Sequence, residues 1–296
     1  MIIVRLSGGL GNQMFQYATG RRLALMRAVP LKLDLRGFGV PLPGDTARSF
    51  ALDVFRINAE FARPEEVAQL CGLSRSGLVN CASKVKEKLL PLKMRHCFKE
   101  RHFHFDPDLL LLGDRVYLDG FWQSERYFSD IRDTILRDFT AIQPLAGKNL
   151  ELAEQLATVT SVSIHVRRGD YVTNRAALEY HGVCQLEYYR QGIEYIAEKV
   201  GKPRLFIFSD DPEWVRKNLH LPYPSTFVDH NGPDRAYEDL RLMSLCSHNI
   251  IANSSFSWWG AWLNRNPGKV VVAPSRWFNR QDINTDDLIP PGWLRI

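Results

Sequence analysis

The chain has 296 residues, 45% of them hydrophobic and 24% charged, which is the balance of an ordinary globular protein with one large or two medium domains. A net charge of +5 fits acidic ligands such as phosphates and does not require a nucleic acid. Five scattered cysteines without a C-x-x-C pair argue against a disulfide framework and a zinc site, and no apolar run reaches membrane-spanning length.

The N-terminal segment has the pattern of a strand, a glycine loop and a helix. Residues 2–6 suit a strand and lack the basic start and long apolar region of a signal peptide, and a helix is expected over 15–27. The loop between them, SGGLGNQMF, fits neither the dinucleotide fingerprint nor the P-loop. It is either a simple tight turn or, as we favour, a place where Asn12 and Gln13 contact a phosphate or a sugar.

The rest of the first half carries fewer signals. Strands are expected at 30–35 and 116–118, and GFWQS follows at 120–124. A helix from Gly147 leads into a second domain, so we predict domains at 1–146 and 147–296. A basic cluster favours a solvated face over a surface for anionic lipid, and it consists of Lys84, Lys86, Lys88, Lys93, Arg95, Lys99 and Arg101.

Strands and helices alternate through the second half. Apolar β-rich runs predict strands at 161–166, 204–208, 226–228, 249–252 and 269–273. Helical patterns lie at 185–200, 237–246 and 255–264, and a further helix opens where Asp211 suits the cap and Pro212 the first position. This alternation predicts an α/β fold with a doubly wound parallel sheet.

Polar residues follow three of these strands, at 167–170, 209–211 and 253–255. In parallel sheets ligands bind beyond the carboxyl ends of the strands, so these segments are expected to form one site. Arginine forks match phosphate oxygens in pairs, which suits Arg167 and Arg168 to a diphosphate leaving group. The alternatives for this segment are a salt bridge from one arginine to Asp170 and adhesion through an exposed Arg-Gly-Asp loop.

The other two segments also have two interpretations each. With Asp211 expected at a helix cap, Asp210 remains to accept a hydrogen bond from a ligand. Ser254 and Ser255 open a helix, where they serve either as an anion cradle or as an ordinary cap. No group of His, Cys and carboxylate residues has metal-ligand spacing.

Five motifs in this order resemble the α-1,2-fucosyltransferases of glycosyltransferase family eleven, over Met1 to about Trp277. They are GGLGNQMFQYA, GFWQSERYF, HVRRGDYV with HGVC and YY, FSDDPEWV, and NSSFSWWGAWLN. The resemblance implies a GT-B architecture, in which two Rossmann-like doubly wound domains face a cleft. The N-terminal domain would lie on the acceptor side and the C-terminal domain would bind the GDP-sugar.

The resemblance also implies a reaction. GDP-fucose would donate L-fucose, with inversion and without a metal or other cofactor, to the 2-hydroxyl of a galactose-terminated glycan. Arg167 would contact the β-phosphate and Asp170 is the nearest carboxylate for the acceptor proton, although Glu179 and His181 are further candidates. The implied donor-binding residues are Asn12, Gln13, His165, Arg168, Asp210, Asp211, Asn253, Ser254 and Ser255, and the acceptor-side residues are Trp122, Gln123, Tyr127 and His181.

Two alternatives stay open: a transferase that uses another GDP-sugar, and a non-catalytic nucleotide- or carbohydrate-binding module. A protein that works in the cytoplasm, with at most peripheral contact with the inner face of the membrane, is expected. The acceptor glycan and the oligomeric state are not determined by these patterns.

Overall fold

The computed structural model describes residues 1–38, 47–71 and 89–296, and it divides into two compact units. The first comprises Met1–Ile142 together with Asn284–Leu288, and the second Gln143–Ile283 together with Ile289–Ile296. The predicted boundary lay four residues later than Ile142. Pairing of Ala141 with Phe55 ties that residue to the first unit, whereas Arg241 Nη1 donates to the Gln143 carbonyl of the second.

The first unit is a five-stranded sheet with helices on both faces, and every pairing among its described strands is parallel. The strand order is β3-β2-β1-β5-β4, for β1 Ile2–Arg5, β2 Leu31–Asp34, β3 Glu60–Phe61, β4 Cys97–Lys99 and β5 Val116–Asp119. Among the described residues of this unit the α-helices are α1 Leu10–Arg27, α2 Pro64–Cys71 and α3 Arg132–Asp138, and short 3-10 helices span Arg36–Phe38, Leu92–Met94, Pro107–Leu111, Glu125–Tyr127 and Ser129–Ile131.

Strand β1 is buried on both faces, which explains its unbroken apolar run. Ile3 packs against Val67 of α2. On the other face α1 approaches so closely that a Cβ on Gly20 would lie 2.2 Å from Val4. Glycine at that position therefore sets the distance between α1 and the sheet.

The second unit is a six-stranded sheet, again parallel in every described pairing. Its order is β11-β10-β9-β6-β7-β8, for β6 Ser161–Val166, β7 Arg204–Ser209, β8 Ser225–Val228, β9 His248–Ile250, β10 Val271–Ala273 and β11 Leu294–Arg295. The helices are α4 Lys148–Ala157, α5 Gly169–Thr173, α6 Arg175–His181, α7 Leu186–Val200, α8 Pro212–Asn218, α9 Ala236–Leu245 and α10 Ser255–Leu263, with a 3-10 turn at Pro233–Arg235.

Alternate residues of β7 separate the two apolar cores of this unit. Leu205 and Ile207 pack with α7, whereas Phe206 and Phe208 pack with residues of α4 and α9. Two covered faces are the defining property of a doubly wound sheet, so the predicted fold class is confirmed for this unit.

Local boundaries differ from the expectations in places. Helix α1 begins at Leu10, five residues earlier than predicted, so Asn12 and Gln13 lie in its first turn and not in the preceding loop. The short helices α5 and α6 and the two-residue strand β11 were not predicted, because each is shorter than the windows in which periodicity becomes visible.

Within the described residues no helix is both long and apolar enough to cross a membrane. Three lysines of the predicted basic cluster, Lys84, Lys86 and Lys88, lie outside those residues, as does Cys81. Arg101 of the same cluster is engaged in ion pairs with Asp106 and Asp108.

Candidate active site

Two arginines directly after β6 are held by two aspartates directly after β7. Arg167 Nη1 lies 2.8 Å from Asp210 Oδ2, and Arg168 Nε lies 3.3 Å from Asp211 Oδ2. The backbone N–H of Arg168 also donates to Asp210 Oδ1 at 2.8 Å. Both aspartates follow the neighbouring strand β7; the alternative of a salt bridge to Asp170 stays a prediction, because that side chain lies outside the described part of the chain.

Aromatic rings support both guanidinium groups. The Arg168 guanidinium lies 3.5 Å from the centre of the Trp214 ring, and that of Arg167 lies 5.3 Å from the centre of the Tyr171 ring. Planar guanidinium groups stack on rings while their edge N–H groups still donate, which lysine cannot reproduce. The Arg167 side chain keeps 24% exposure and that of Arg168 16%, so both groups are fixed in direction and reachable from solvent.

The loop after β7 is built by the residues that the sequence marked as a helix start. Asp211 accepts from the backbone N–H of Trp214 at 3.2 Å, which confirms its predicted role as the cap of α8. Ser209 Oγ donates to the Val166 carbonyl of β6 and accepts from the Asp211 N–H. Together these bonds join the carboxyl ends of β6 and β7 and set the spacing of the Arg–Asp pairs.

Gly169 is required where the two segments meet. A Cβ at this position would lie 2.3 Å from Asp210 Oδ2, a distance that real side chains do not show. Glycine therefore allows the backbone of the arginine segment to approach the Asp210 carboxylate.

His165 is a neutral, buried histidine in β6, two residues before Arg167. Burial, with a smaller effect of Arg167, lowers the pKa of His165 to about 3. Its ring lies 5.6 Å from that of Phe256, and its buried Nδ1 has no hydrogen-bond partner among the residues that the structure describes. Such an unmatched ring nitrogen is unusual in a folded protein, and either a water molecule or a ligand atom would satisfy it.

The Asn253–Ser255 segment follows β9, and its side chains have different structural roles. The buried Asn253 amide donates to the carbonyl oxygens of His181, Gly182 and Trp277, which makes it an internal brace. Ser254 is the N-cap residue of α10 without a side-chain cap bond. Its hydroxyl is therefore not committed to the cap role that was the alternative interpretation.

In the first unit, the side chains of Asn12 and Gln123 are hydrogen-bonded to each other, whereas the Gln13 side chain bonds elsewhere. Gln123 Nε2 donates to Asn12 Oδ1 at 2.9 Å. The Gln13 side chain has no exposed surface: its amide donates to the Gly8 and Ser49 carbonyls and accepts from the Ala51 N–H. Gln13 thus braces a loop, which is a structural role and not the predicted donor contact.

Two predicted acceptor-side residues are core residues. Trp122 and Tyr127 are fully buried, and the Tyr127 hydroxyl accepts from the Asp106 N–H at 2.7 Å. Aromatic residues near a motif suggested a sugar-binding surface, but here they fill the interior, where large rings contribute most to stability. Of the three acceptor-side residues predicted in this segment, Gln123 alone retains exposed surface, at 8%.

Glu100 was missed, because the short strand β4 before it was not predicted. Its carboxylate accepts from the backbone N–H groups of Phe121 and Trp122 at 2.8 and 2.9 Å. Trp122 has a φ of 56°, which is strained for a side chain of this size. Burial raises the pKa of Glu100. Glu100 therefore holds the backbone of a strained turn next to Gln123, and strained turns of this kind are common at functional sites.

Three residues were predicted as the general base: Asp170, Glu179 and His181. The side chain of Asp170 lies outside the described part of the chain, so its role stays a prediction. Glu179 is exposed and pairs with Arg175 at 2.8 Å. His181 stacks on Tyr171, with ring centres 4.5 Å apart. Among the described residues no group of three His, Cys, Asp or Glu side chains could hold a metal ion.

Three relatives are similar over most or all of the chain. An alpha-1,2-colitosyltransferase of Escherichia coli is 37% identical, covering 100% of this chain and 99% of its own length. The O-antigen biosynthesis glycosyltransferase WbnK of Escherichia coli is 33% identical, covering 98% and 99%. Galactoside alpha-(1,2)-fucosyltransferase 2 of Sus scrofa is 24% identical, covering 89% of this chain and 69% of the relative.

Solved structures agree in fold. FUT1 of Arabidopsis thaliana aligns with a TM-score of 0.53 at 13% identity, covering 92% of this chain and 70% of that one. The fucosyltransferase NodZ from Bradyrhizobium aligns with a TM-score of 0.50 at 15% identity, covering 88% and 90%. These GT-B neighbours confirm the expected α/β class with two Rossmann-like units.

The family model described as Glycosyl transferase family 11 matches residues 101–296. That range includes both arginines, the aspartates that hold them and the Asn253–Ser255 segment. The chain is therefore a glycosyltransferase and belongs to family 11.

Proposed function

We propose that the chain transfers L-fucose from GDP-fucose to the 2-hydroxyl of a terminal galactose, with inversion and without a metal. The observation that carries the proposal is the pair of arginines at the end of β6, each fixed by an aspartate and stacked on a ring. Their place at the carboxyl edge of a parallel sheet is where such folds bind nucleotides.

The physical need that these residues meet is charge stabilisation. When the bond from the sugar to the diphosphate breaks, negative charge grows on the leaving group. Preorganised cations stabilise this charge more in the transition state than in the ground state, which lowers the barrier. Arg167 and Arg168 supply the cations, and the first N–H groups of α10 after Ser254 supply a partial positive charge.

The α-1,2 linkage has support from two sides. The names of relatives at 37% and at 24% identity both specify an alpha-1,2 transfer, although their sugars differ. These two relatives therefore share the linkage, and they differ in the sugar that is transferred.

A second candidate donor is the colitosyl nucleotide, favoured by the 37% identity to an alpha-1,2-colitosyltransferase. Colitose is fucose without its 3-hydroxyl. A site that hydrogen-bonds this hydroxyl rejects the deoxy sugar strongly, whereas an apolar site discriminates weakly. The preference for one donor therefore indicates whether the protein places a polar group against the 3-hydroxyl of fucose.

The acceptor is proposed to be a galactose-terminated unit of a bacterial O-antigen, in line with the name of the relative at 33% identity. Assembly of such units from nucleotide sugars fits a protein of the cytoplasm, with at most peripheral contact with the inner face of the membrane. No nucleic acid is part of the proposal.

One experiment tests both donors. The protein is incubated with GDP-fucose, GDP-colitose or GDP-mannose, a panel of β-galactosides, and EDTA, and the product linkage is determined by NMR. We expect an α-1,2 product with GDP-fucose in the presence of EDTA. Transfer from GDP-colitose alone would replace fucose by the second candidate, and dependence on added Mg²⁺ or Mn²⁺ would contradict the metal-free reaction.

A further inference from the structure

Four aromatic side chains form a contiguous cluster beside Arg167, which we call the aromatic platform: Tyr171, Tyr180, His181 and Phe278. Resting on the proposed function, we infer that this platform is a subsite for a sugar ring of the acceptor, with Tyr180 as the ring on which that sugar stacks.

The platform is connected to Arg167 by a chain of ring contacts. The Arg167 guanidinium lies 5.3 Å from the centre of the Tyr171 ring, and Tyr171 stacks on His181 at 4.5 Å with an interplanar angle of 4°. Tyr180 meets His181 edge-on at 4.8 Å and Phe278 at 5.1 Å. Tyr180 is thus separated by two ring contacts from Tyr171, which contacts Arg167.

Exposure separates Tyr180 from the other rings. Phe278 is 6% exposed and forms the floor, whereas Tyr180 is 38% exposed. Pyranose rings carry C–H groups on their faces and hydroxyls on their edges. The exposed ring of a tyrosine offers an apolar face on which the C–H groups of a sugar can stack, and such rings are common in ligand sites.

The backbone under the platform is fixed by two asparagines. Asn253 Nδ2 donates to the His181 and Gly182 carbonyls at 3.0 and 3.3 Å. Asn279 Nδ2 donates to the Leu178 carbonyl, and the Asn279 N–H donates to the Tyr180 carbonyl, both at 2.9 Å. These bonds satisfy carbonyl oxygens at the end of α6 and reduce the entropy lost when a ligand binds.

The occupant is a sugar of the acceptor and not the guanine of the donor. Arg167 contacts Asp210 after β7 on one side and Tyr171 of the aromatic platform on the other. It therefore lies between the segment after β7 and the platform. The nucleoside is expected at His165 and the β7 segment, which leaves the platform for the partner of the reaction. A glycan also continues into solvent beyond the reacting sugar, which suits a half-exposed ring at the surface.

The test compares four substitutions of one residue. Tyr180→Ala and Tyr180→Leu remove the ring, whereas Tyr180→Phe and Tyr180→Trp keep one. Leu178→Ala, on the same helix and 36% exposed, is the matched control for disturbance of α6. For each variant the acceptor KM and kcat are measured with lactose, and the GDP dissociation constant by calorimetry.

We expect the Ala and Leu variants to raise the acceptor KM by about tenfold, the effect of one lost aromatic contact. The Phe, Trp and control variants should keep the wild-type acceptor KM, and GDP binding and acceptor-independent hydrolysis of the GDP-sugar should be unchanged throughout. Thermal unfolding verifies that each variant is folded.

An unchanged acceptor KM in Tyr180→Ala would overturn the inference. So would an equal loss of GDP affinity, because guanine would then be the stacked ring. Failure of the proposed function looks different: the wild-type protein itself would transfer no sugar from any GDP donor to any galactoside.

Discussion

Arg167 and Asp210 form an ion pair of 2.8 Å between the carboxyl ends of two adjacent parallel strands. Both side chains are about one quarter exposed, so the pair lies at the surface of the sheet edge and not in the core. A pair of this exposure contributes little to stability. Its consequence is geometric: it sets the direction of the guanidinium in the absence of a ligand.

The first prediction concerns Arg167 itself. Arg167→Ala should lower kcat by on the order of 10²–10³, the cost of removing one preorganised donor from a developing anion. Stability should change little. Arg175→Ala is the matched control, because the Arg175 side chain is 91% exposed and pairs only locally with Glu179 among the contacts seen. Near-normal turnover of Arg167→Ala would remove this residue from the mechanism.

The second prediction distinguishes two possible roles of Asp210: holding the arginine segment in place, and recognising guanine. Because its carboxylate holds both Arg167 and the Arg168 backbone, Asp210→Asn should weaken GDP and UDP binding by the same factor, about tenfold. A residue that reads guanine would behave differently, since GDP affinity would fall and UDP affinity would not. Calorimetric titration of both nucleotides decides between the two.

The third prediction concerns Gly169, where a side chain would collide with Asp210. Gly169→Ala should push the Asp210 carboxylate away, since the new Cβ would lie 2.3 Å from Oδ2. A misplaced active-site group costs on the order of 10² in kcat/KM. Gly232→Ala is the control, because a Cβ there meets no atom of the described residues within 4 Å. Equal activities of the two variants would show that Asp210 does not need its present position.

The fourth prediction concerns Glu100. Glu100→Ala leaves two backbone N–H groups near a strained Trp122 without their acceptor, so the protein should lose about 1–3 kcal/mol of stability. If the loop also positions Gln123 for substrate, KM should rise, and Glu100→Gln should restore part of it. Glu65→Ala on the surface of α2 is the comparison. Loss of stability with unchanged kinetic constants would assign Glu100 a purely structural role.

The fifth prediction is a pH dependence of stability. His165 has a pKa of about 3 when folded and 6.5 in an unstructured peptide, so between about pH 3 and pH 6.5 the unfolded chain binds a proton that the folded protein does not. Stability should therefore fall as the pH falls, by about 1.4 kcal/mol per pH unit from this group.

His165→Gln isolates the effect, because the variant lacks the titrating ring. Urea unfolding at pH 7 and pH 5 should show a smaller loss for the variant than for the wild type. The same loss in both proteins would mean that His165 takes up its proton in the folded state and is not buried as the structure has it.

The sequence by itself determined the α/β class, most strands and helices of the second half, and the polar segments that follow β6, β7 and β9. It could do so because buried parallel strands are continuous apolar runs and long helices repeat every three to four residues. Asp211 and Pro212 at the start of α8 were predictable for the same reason: capping depends on residues that are neighbours in the chain.

Only the tertiary structure decided how side chains are used. Asn253 and Gln13 carry the amides expected at a ligand site, yet both amides bond to backbone groups far away in sequence. Trp122 and Tyr127 are buried, and Glu100 holds the strained Trp122, which lies 22 residues further along the chain. Hydrogen bonds and burial depend on which segments the fold brings together, and local periodicity contains no information about those distances.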